Sequence, residues 1–196
     1  MQEYDDLCQD IAAQISKLPL EHIKAVQQYI QELEQTDLQH EEQQNRYLTF
    51  LCCEQTFGIN IRQVVQILQM PQITSLPDSL PYMKGVISLR EEMVPVIDLR
   101  IRLKHKEVDY TDRNCLVIMS VQDRSFGVVV DCVCSVETIL PEEICLPPQQ
   151  DEQKAPYLRG IVKHDTVILL IDPDHLFADG DLEHILDTSV ESLPPA

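Results

Sequence analysis

The chain has 196 residues, 44% of them apolar, which suits one domain or two small ones sharing a core. Its formal net charge of −18 divides into −7 over residues 1–46, −6 over 47–177 and −5 over 178–196. An acidic surface repels phosphate backbones and anionic lipid, which argues against nucleic acid and membrane surfaces as partners, and no stretch reaches the roughly 20 apolar residues of a membrane span.

The first ten residues, MQEYDDLCQD, lack the basic-then-apolar pattern of a signal peptide, so a cytoplasmic protein with reduced thiols is expected. Leu7, Ile11, Ile15 and Leu18 follow a helical stripe that ends at Pro19. Pro19 suits the first turn of a second helix, whose Ile23, Val26, Ile30 and Leu33 are spaced 3-4-3 like a short coiled-coil seam. These helices either pack on themselves or on the domain, or they serve self-association or partner docking through residues 1–45. The polar run Gln39–Asn45 reads as a linker.

From Tyr47 the period changes. YLTFLCC, FGINI, VVQIL, VISL and VPVIDL are β-rich runs divided by turn residues. After RIRLKHK and a polar connection through Asn114, the pattern resumes with CLVIMSV, FGVVVD, CVCSVETIL, LRGIV and VILLID. The stretch Lys84–Leu99 reads as a β-hairpin with Arg90, Glu91 and Glu92 at its tip, and Gly85 marks a backbone bend or close approach.

The two halves repeat one plan. Phe57-Gly58-Ile59 matches Phe126-Gly127-Val128 at an offset of 69, as do Val64 and Ile67 with Val133 and Val136. Lys84-Gly85-Val86 matches Arg159-Gly160-Ile161 at 75, and Val96-Ile97-Asp98 matches Leu170-Ile171-Asp172 at 74. Four of the five glycines fall at two equivalent points, so the chain is read as a duplication. Each copy holds about five strands, the size of an SH3-like barrel, and alone would bury little apolar surface. The expected fold is therefore mainly β: two five-stranded barrel lobes, one over about 46–110 and the other over about 111–177. An N-terminal helical extension (1–45) and an acidic tail (178–196) flank them. The groove where the lobes meet is a natural recognition surface.

Chemistry is sparse. The seven cysteines include no Cys-x-x-Cys, so they are expected as small core residues, with no metal and no cofactor. Asp172-Pro173-Asp174-His175 reads as a helix start, Asp172 capping and Pro173 in the first turn. No phosphate loop or activated nucleophile is present, and the chain is not expected to be an enzyme. Val64 and Ile67 stand at helical spacing and are core residues by default, or line the groove as a seat for a partner helix.

In YLTFLCCEQTFGINI, VVQIL, the GV-x-x-LR hairpin with VPVIDLR, FGVVVD-x-V, and YLRGI followed by VILLID, the stretch Tyr47–Phe177 resembles the CheW family of bacterial chemotaxis coupling proteins. The resemblance implies a pair of five-stranded barrels without catalytic activity, bridging the cytoplasmic tips of chemoreceptors to the regulatory domain of the histidine kinase CheA. Such a protein is cytoplasmic and recruited to membrane-associated receptor arrays. By position, the family's receptor contacts fall on Val64, Gln66, Ile67, Gly85, Arg90 and Gly127. Its kinase contacts fall on Leu68, Gln69, Met70 and Ile73, and a ring contact on Cys145, Gln149 and Gln150. Arg90 is then the cation that grips carboxylates or carbonyls of a receptor helix. Three positions depart from the family pattern. Glu91 stands where Asn-Leu-Arg-Gly has Gly, Gln66 where an acid is common, and CLPPQQDEQ lacks the basic and aromatic residues some members carry. These departures suit a paralogue serving a different receptor set or a pilus-type array. The alternative to the coupling role is a CheW-like paralogue acting as an assembly or localisation factor for chemosensory or pilus-type arrays through its N-terminal helices.

Overall fold

The apolar runs become ten strands in a computed structural model, which describes Gln28 and residues 44–77, 79–90, 92–106, 109–122, 124–147 and 155–176. The expected N-terminal helices, Glu91, Gln149, Gln150 and the tail 178–196 lie outside the described residues, save Gln28, Gln44 and Asn45. The chain divides into two units, Met1–Thr36 and Asp37–Ala196, and the fold is that of the second.

The strands are β1 (Arg46–Cys52), β2 (Gln55–Asn60), β3 (Val64–Gln69), β4 (Met83–Leu89) and β5 (Glu92–Asp98), then β6 (Cys115–Val121), β7 (Arg124–Val130), β8 (Cys132–Thr138), β9 (Leu158–Lys163) and β10 (Val167–Ile171). Buried Val, Ile and Leu dominate them, as a pleated, two-sided core requires. The β1–β2 turn is two residues long, Cys53 and Glu54, both with positive φ (53° and 61°). That is the primed geometry which matches strand twist, here achieved without glycine.

Mainly β architecture with two five-stranded sheets is found as expected, but the sheets are not the two halves of the sequence. The first runs β8-β1-β2-β10-β9 and the second β3-β6-β7-β5-β4. The expected lobes 46–110 and 111–177 are corrected accordingly: each sheet mixes strands from both halves. The cause lies after β2, where the 3₁₀ turn Ile61–Gln63 carries the chain away from β1. β3 then finds its antiparallel neighbour in β6, and β5 lies parallel to β7. The second copy does the same in reverse, β8 pairing with β1 and β10 lying parallel to β2. Replacing each strand by its repeat partner turns one sheet order into the other, so the duplication survives as an exchanged pair.

The symmetry reaches single residues. Leu170 lies between Gly58 and Gly160 across the first sheet, and Val96 between Gly127 and Gly85 across the second. An extra residue interrupts β3 at Val65 and β8 at Cys134, each facing a single step of its neighbour. Such a bulge bends a strand and re-aims its side chains. Beyond each bulged strand the chain returns as a strap, pairing Thr74 with Val86 in one sheet and Cys145 with Ile161 in the other.

Candidate functional site

The bulge explains the spacing in VVQIL. Val64 and Ile67 are both buried, while Val65 between them is 43% exposed. Three-residue spacing on one face, which in a regular pattern signals a helix, is here a strand with one residue inserted. The Ile67 side chain is closed off completely. Gln66 is partly exposed on the same edge strand. Gly85 and Gly127 are likewise buried.

Gly85 has a structural task. Its φ is +136°, a region L side chains rarely adopt, and a Cβ there would run into the Thr74 carbonyl. Thr74 N–H donates to the Val86 carbonyl and Val86 N–H to that of Thr74, both at 2.9 Å. The bare glycine therefore lets the strap close over β4. At the far end of this hairpin, Arg90 is exposed in the turn with φ 48°. Its side chain stands outside the core, where Arg's several donors remain usable.

Leu68, Met70 and Ile73, with Leu89, are partly buried and pack against one cluster: Ile87, Val94, Val96, Leu116, Ile118 and Val129. The structure thus brings three of the four expected kinase contacts into one apolar cover at an end of the second sheet, with Gln69 exposed beside them. The corresponding end of the first sheet carries Ile144 against its own core, together with exposed Leu140, Cys145 and Leu146, the last 79% exposed. There His164 links three elements. Its Nδ1 lies 3.3 Å from Glu137 of β8, and its Nε2 3.1 Å from Glu143 of the 3₁₀ turn Pro141–Glu143. The Glu143 hydrogen bond, then that of Glu137, raises the His164 pKa above its ordinary value.

Of the described cysteines, Cys52 and Cys115 are buried, and Cys53, Cys132 and Cys134 partly so. Burial pushes the Cys52 and Cys115 thiols up, which keeps them as inert protonated groups. Cys145 departs from the expected core role.

At two corners the structure adds partners that the sequence reading missed. After β5, Asp98 caps the one-turn helix Leu99–Arg102 through Arg100 N–H at 2.9 Å. Its carboxylate also accepts from Arg100 Nε and Nη2 and, at 3.0 Å, from Tyr110 Oη. Arg100 Nη1 lies 3.8 Å from Asp131, whose other oxygen holds Cys53 N–H at 2.7 Å. Asp98 and Arg100 are both buried, so the corner is filled by a satisfied ion cluster. After β10, Asp172 caps the turn Pro173–His175 as expected, accepting from Asp174 N–H at 3.1 Å. Here the corner holds an open pocket of about 480 Å³, with Tyr47, Asn60, Arg62, Arg159 and Asp172 on its wall. The signal was available in the repeat: an offset of 69 sets Arg62 against Asp131, a charge reversal at equivalent positions.

Two exchanged five-stranded sheets, with half-buried apolar covers at their ends and an exposed arginine at a hairpin turn, define a β scaffold built to present surfaces. The family model of the CheW-like domain matches residues 46–181, and the chain belongs to this family of chemotaxis proteins. It is 33% identical over 138 residues to the probable chemotaxis protein CheW of Rhizobium etli, covering 69% of this chain and 89% of that one. It is 28% identical over 150 residues to the chemotaxis protein CheW of Treponema pallidum, covering 74% and 88%. In structure it resembles the scaffolding protein TtCheW of Thermoanaerobacter tengcongensis, with a TM-score of 0.63 and 25% identity over 70% of this chain and 94% of that one.

Proposed function

We propose that this chain is a non-catalytic adaptor that couples the cytoplasmic tips of chemoreceptors to the regulatory domain of the kinase CheA, from a cytoplasmic position at receptor arrays. The observation that carries the reading is the family match across 46–181, both copies of the repeat. The apolar cover of Leu68, Met70 and Ile73 supports a kinase-facing end, since half-buried aliphatic groups on a rigid sheet suit the centre of an interface. Exposed Arg90 on the β4–β5 turn, and Gln66 with the bulged Val65 on β3, support receptor-facing surface at the two edge strands of the second sheet. Val64, Ile67, Gly85 and Gly127 are buried and act by holding the shape of that sheet.

Pull-down of a CheA regulatory domain and of a receptor signalling fragment tests both faces. Met70→Glu is expected to weaken kinase binding at least tenfold, about 1.4 kcal/mol, and to spare the receptor. Arg90→Glu is expected to do the opposite. Arg90→Gly separates charge from backbone, because glycine accepts the φ of 48° without strain. It should fold at least as well and still lose the receptor. Retention of both partners by the Glu variants removes the site assignment. Ile67→Asp is unsuited to this purpose, since a buried carboxylate unfolds the barrel first.

The alternative, an assembly or localisation factor, rests on residues 1–45, which precede the family match. Light scattering with and without them distinguishes the readings. An unchanged mass with normal coupling after truncation removes the second.

A further inference from the structure

The pocket after β10 and the filled corner after β5 are the same place in the two copies. Asp172 corresponds to Asp98, Arg62 to Asp131, Arg159 to Lys84 and Tyr47 to Leu116, by the offsets that relate the strands. They differ in the residue two positions after the aspartate. In one copy it is Arg100, which turns inward and bridges Asp98 and Asp131. In the other it is Asp174, whose carboxylate turns away to accept Gln122 N–H in the β6–β7 turn at 2.9 Å. The second corner is left without its filler, and Arg62 stands where the first has Asp131.

What remains there is a surplus of positive charge on a chain of net charge −18. Arg159 Nη1 reaches Asp172 at 3.0 Å but is 71% exposed, and a planar fork with one occupied donor has others to give. The Asp172 carboxylate faces Asp174 N–H, Arg159 and His175 Nδ1. The Arg62 guanidinium has no partner among the described residues. Its backbone is nonetheless fixed, since Asn60 Oδ1 accepts Arg62 N–H at 3.1 Å and Asn60 Nδ2 donates to the Gln44 carbonyl at 2.8 Å. Beneath the cations, Tyr47 packs on the core cluster of Ile139, Val162, Ile168 and Leu170 and offers an apolar floor.

We infer that this corner is a docking pocket for a glutamate or aspartate side chain of a partner polypeptide, the carboxylate lying between Arg62 and Arg159. Two exposed arginines hold a lone small anion weakly, because solvent and salt screen them. A carboxylate carried on a chain gains the Tyr47 floor and the tethering of its neighbours as well. The site is separate in residues from the proposed kinase and receptor faces, and its test uses neither partner.

The test follows the Nε–Hε resonances of Arg62 and Arg159 in the full chain during titration with acetyl-Ala-Leu-Glu-Leu-Ala-amide. The same peptide with Gln for Glu, and free glutarate, form the other arms. The Glu peptide is expected to shift both resonances saturably, and the Gln peptide to bind at least tenfold more weakly. Arg62→Ala, exposed and without a partner to lose, should keep its melting temperature and abolish the response, whereas Arg113→Ala leaves it intact. Equal response to the Glu and Gln peptides, or none to either, overturns the proposal. Glutarate binding as tightly as the peptide overturns the assignment to a polypeptide.

Discussion

Gly85 sets the stability of β4 and of the strap that closes over it. A methyl group at this position meets the Thr74 carbonyl, and φ of +136° is itself costly for any L residue. Relief requires the strap to lift, which forfeits both Thr74–Val86 hydrogen bonds. At about 1 kcal/mol for each bond and 1–3 kcal/mol for the backbone, Gly85→Ala should lose roughly 3 kcal/mol or more. Urea denaturation measures this directly. Gly127→Ala is the control, because the nearest atoms its Cβ would meet belong to the Leu116 side chain, at 3.1–3.3 Å, and not to backbone. A Gly85→Ala midpoint no lower than that of Gly127→Ala refutes the strap argument. The lower midpoint would also mean that any binding defect of Gly85 variants is indirect, through an opened barrel.

At the scale of elements, the β9–β10 hairpin is tied to β8 and to the Pro141–Glu143 turn through one imidazole. Both ring nitrogens of His164 face carboxylate oxygens, so both contacts are donors only in the imidazolium. The His164 pKa is raised, first by Glu143 and then by Glu137, so this tie is fully present below the ordinary 6.5 and is lost as pH rises through the higher folded value. Glu143 is lowered, first by the Leu140 N–H it accepts and then by His164, so its part is present above the ordinary 4.5 and lost as pH falls through the lower folded value. The clamp is therefore tightest from about 4.5 to 6.5, and the protection factors of amides in residues 139–146, taken relative to base-catalysed exchange of the open chain at each pH, should be highest there and fall toward pH 8. Glu143→Gln should remove most of that fall and bring the His164 titration closer to the ordinary value. A flat protection profile in the parent protein would discard the clamp. Little of this was legible beforehand, because His164, Glu137 and Glu143 come from three separate elements and carry no local motif. The strands themselves were legible, since β-branched runs bounded by turn residues need only local information. Val64 and Ile67 misled for the complementary reason: one inserted residue gives a strand a helix-like spacing, and only the partner strand β6 reveals the insertion.

For the whole molecule, the repeat showed that two equivalent units exist but not which strands each would take. Matching offsets are unchanged whether β3 joins its own half or the other, so sequence alone could not separate two independent barrels from two exchanged ones. The exchange has a direct consequence. β1·β2, β4·β5, β6·β7 and β9·β10 pair within a half, while β1·β8, β2·β10, β3·β6 and β5·β7 pair between halves. A half on its own keeps only hairpins, which are marginal in water without a third strand and an apolar face. Cutting the chain at residues 107–108, between the last strand of one half and the first of the other, should therefore give two fragments that are each unfolded. Mixed, they should regain both sheets together, because neither sheet is complete with strands from one fragment. The recovery should be second order in fragment concentration and slower than folding of the intact chain, whose inter-half contacts already span a long loop. Circular dichroism and amide-proton dispersion on each fragment and on the mixture distinguish the cases. Independent folding of either fragment would show that the halves can close on themselves, and that the exchanged topology is not what holds the molecule together.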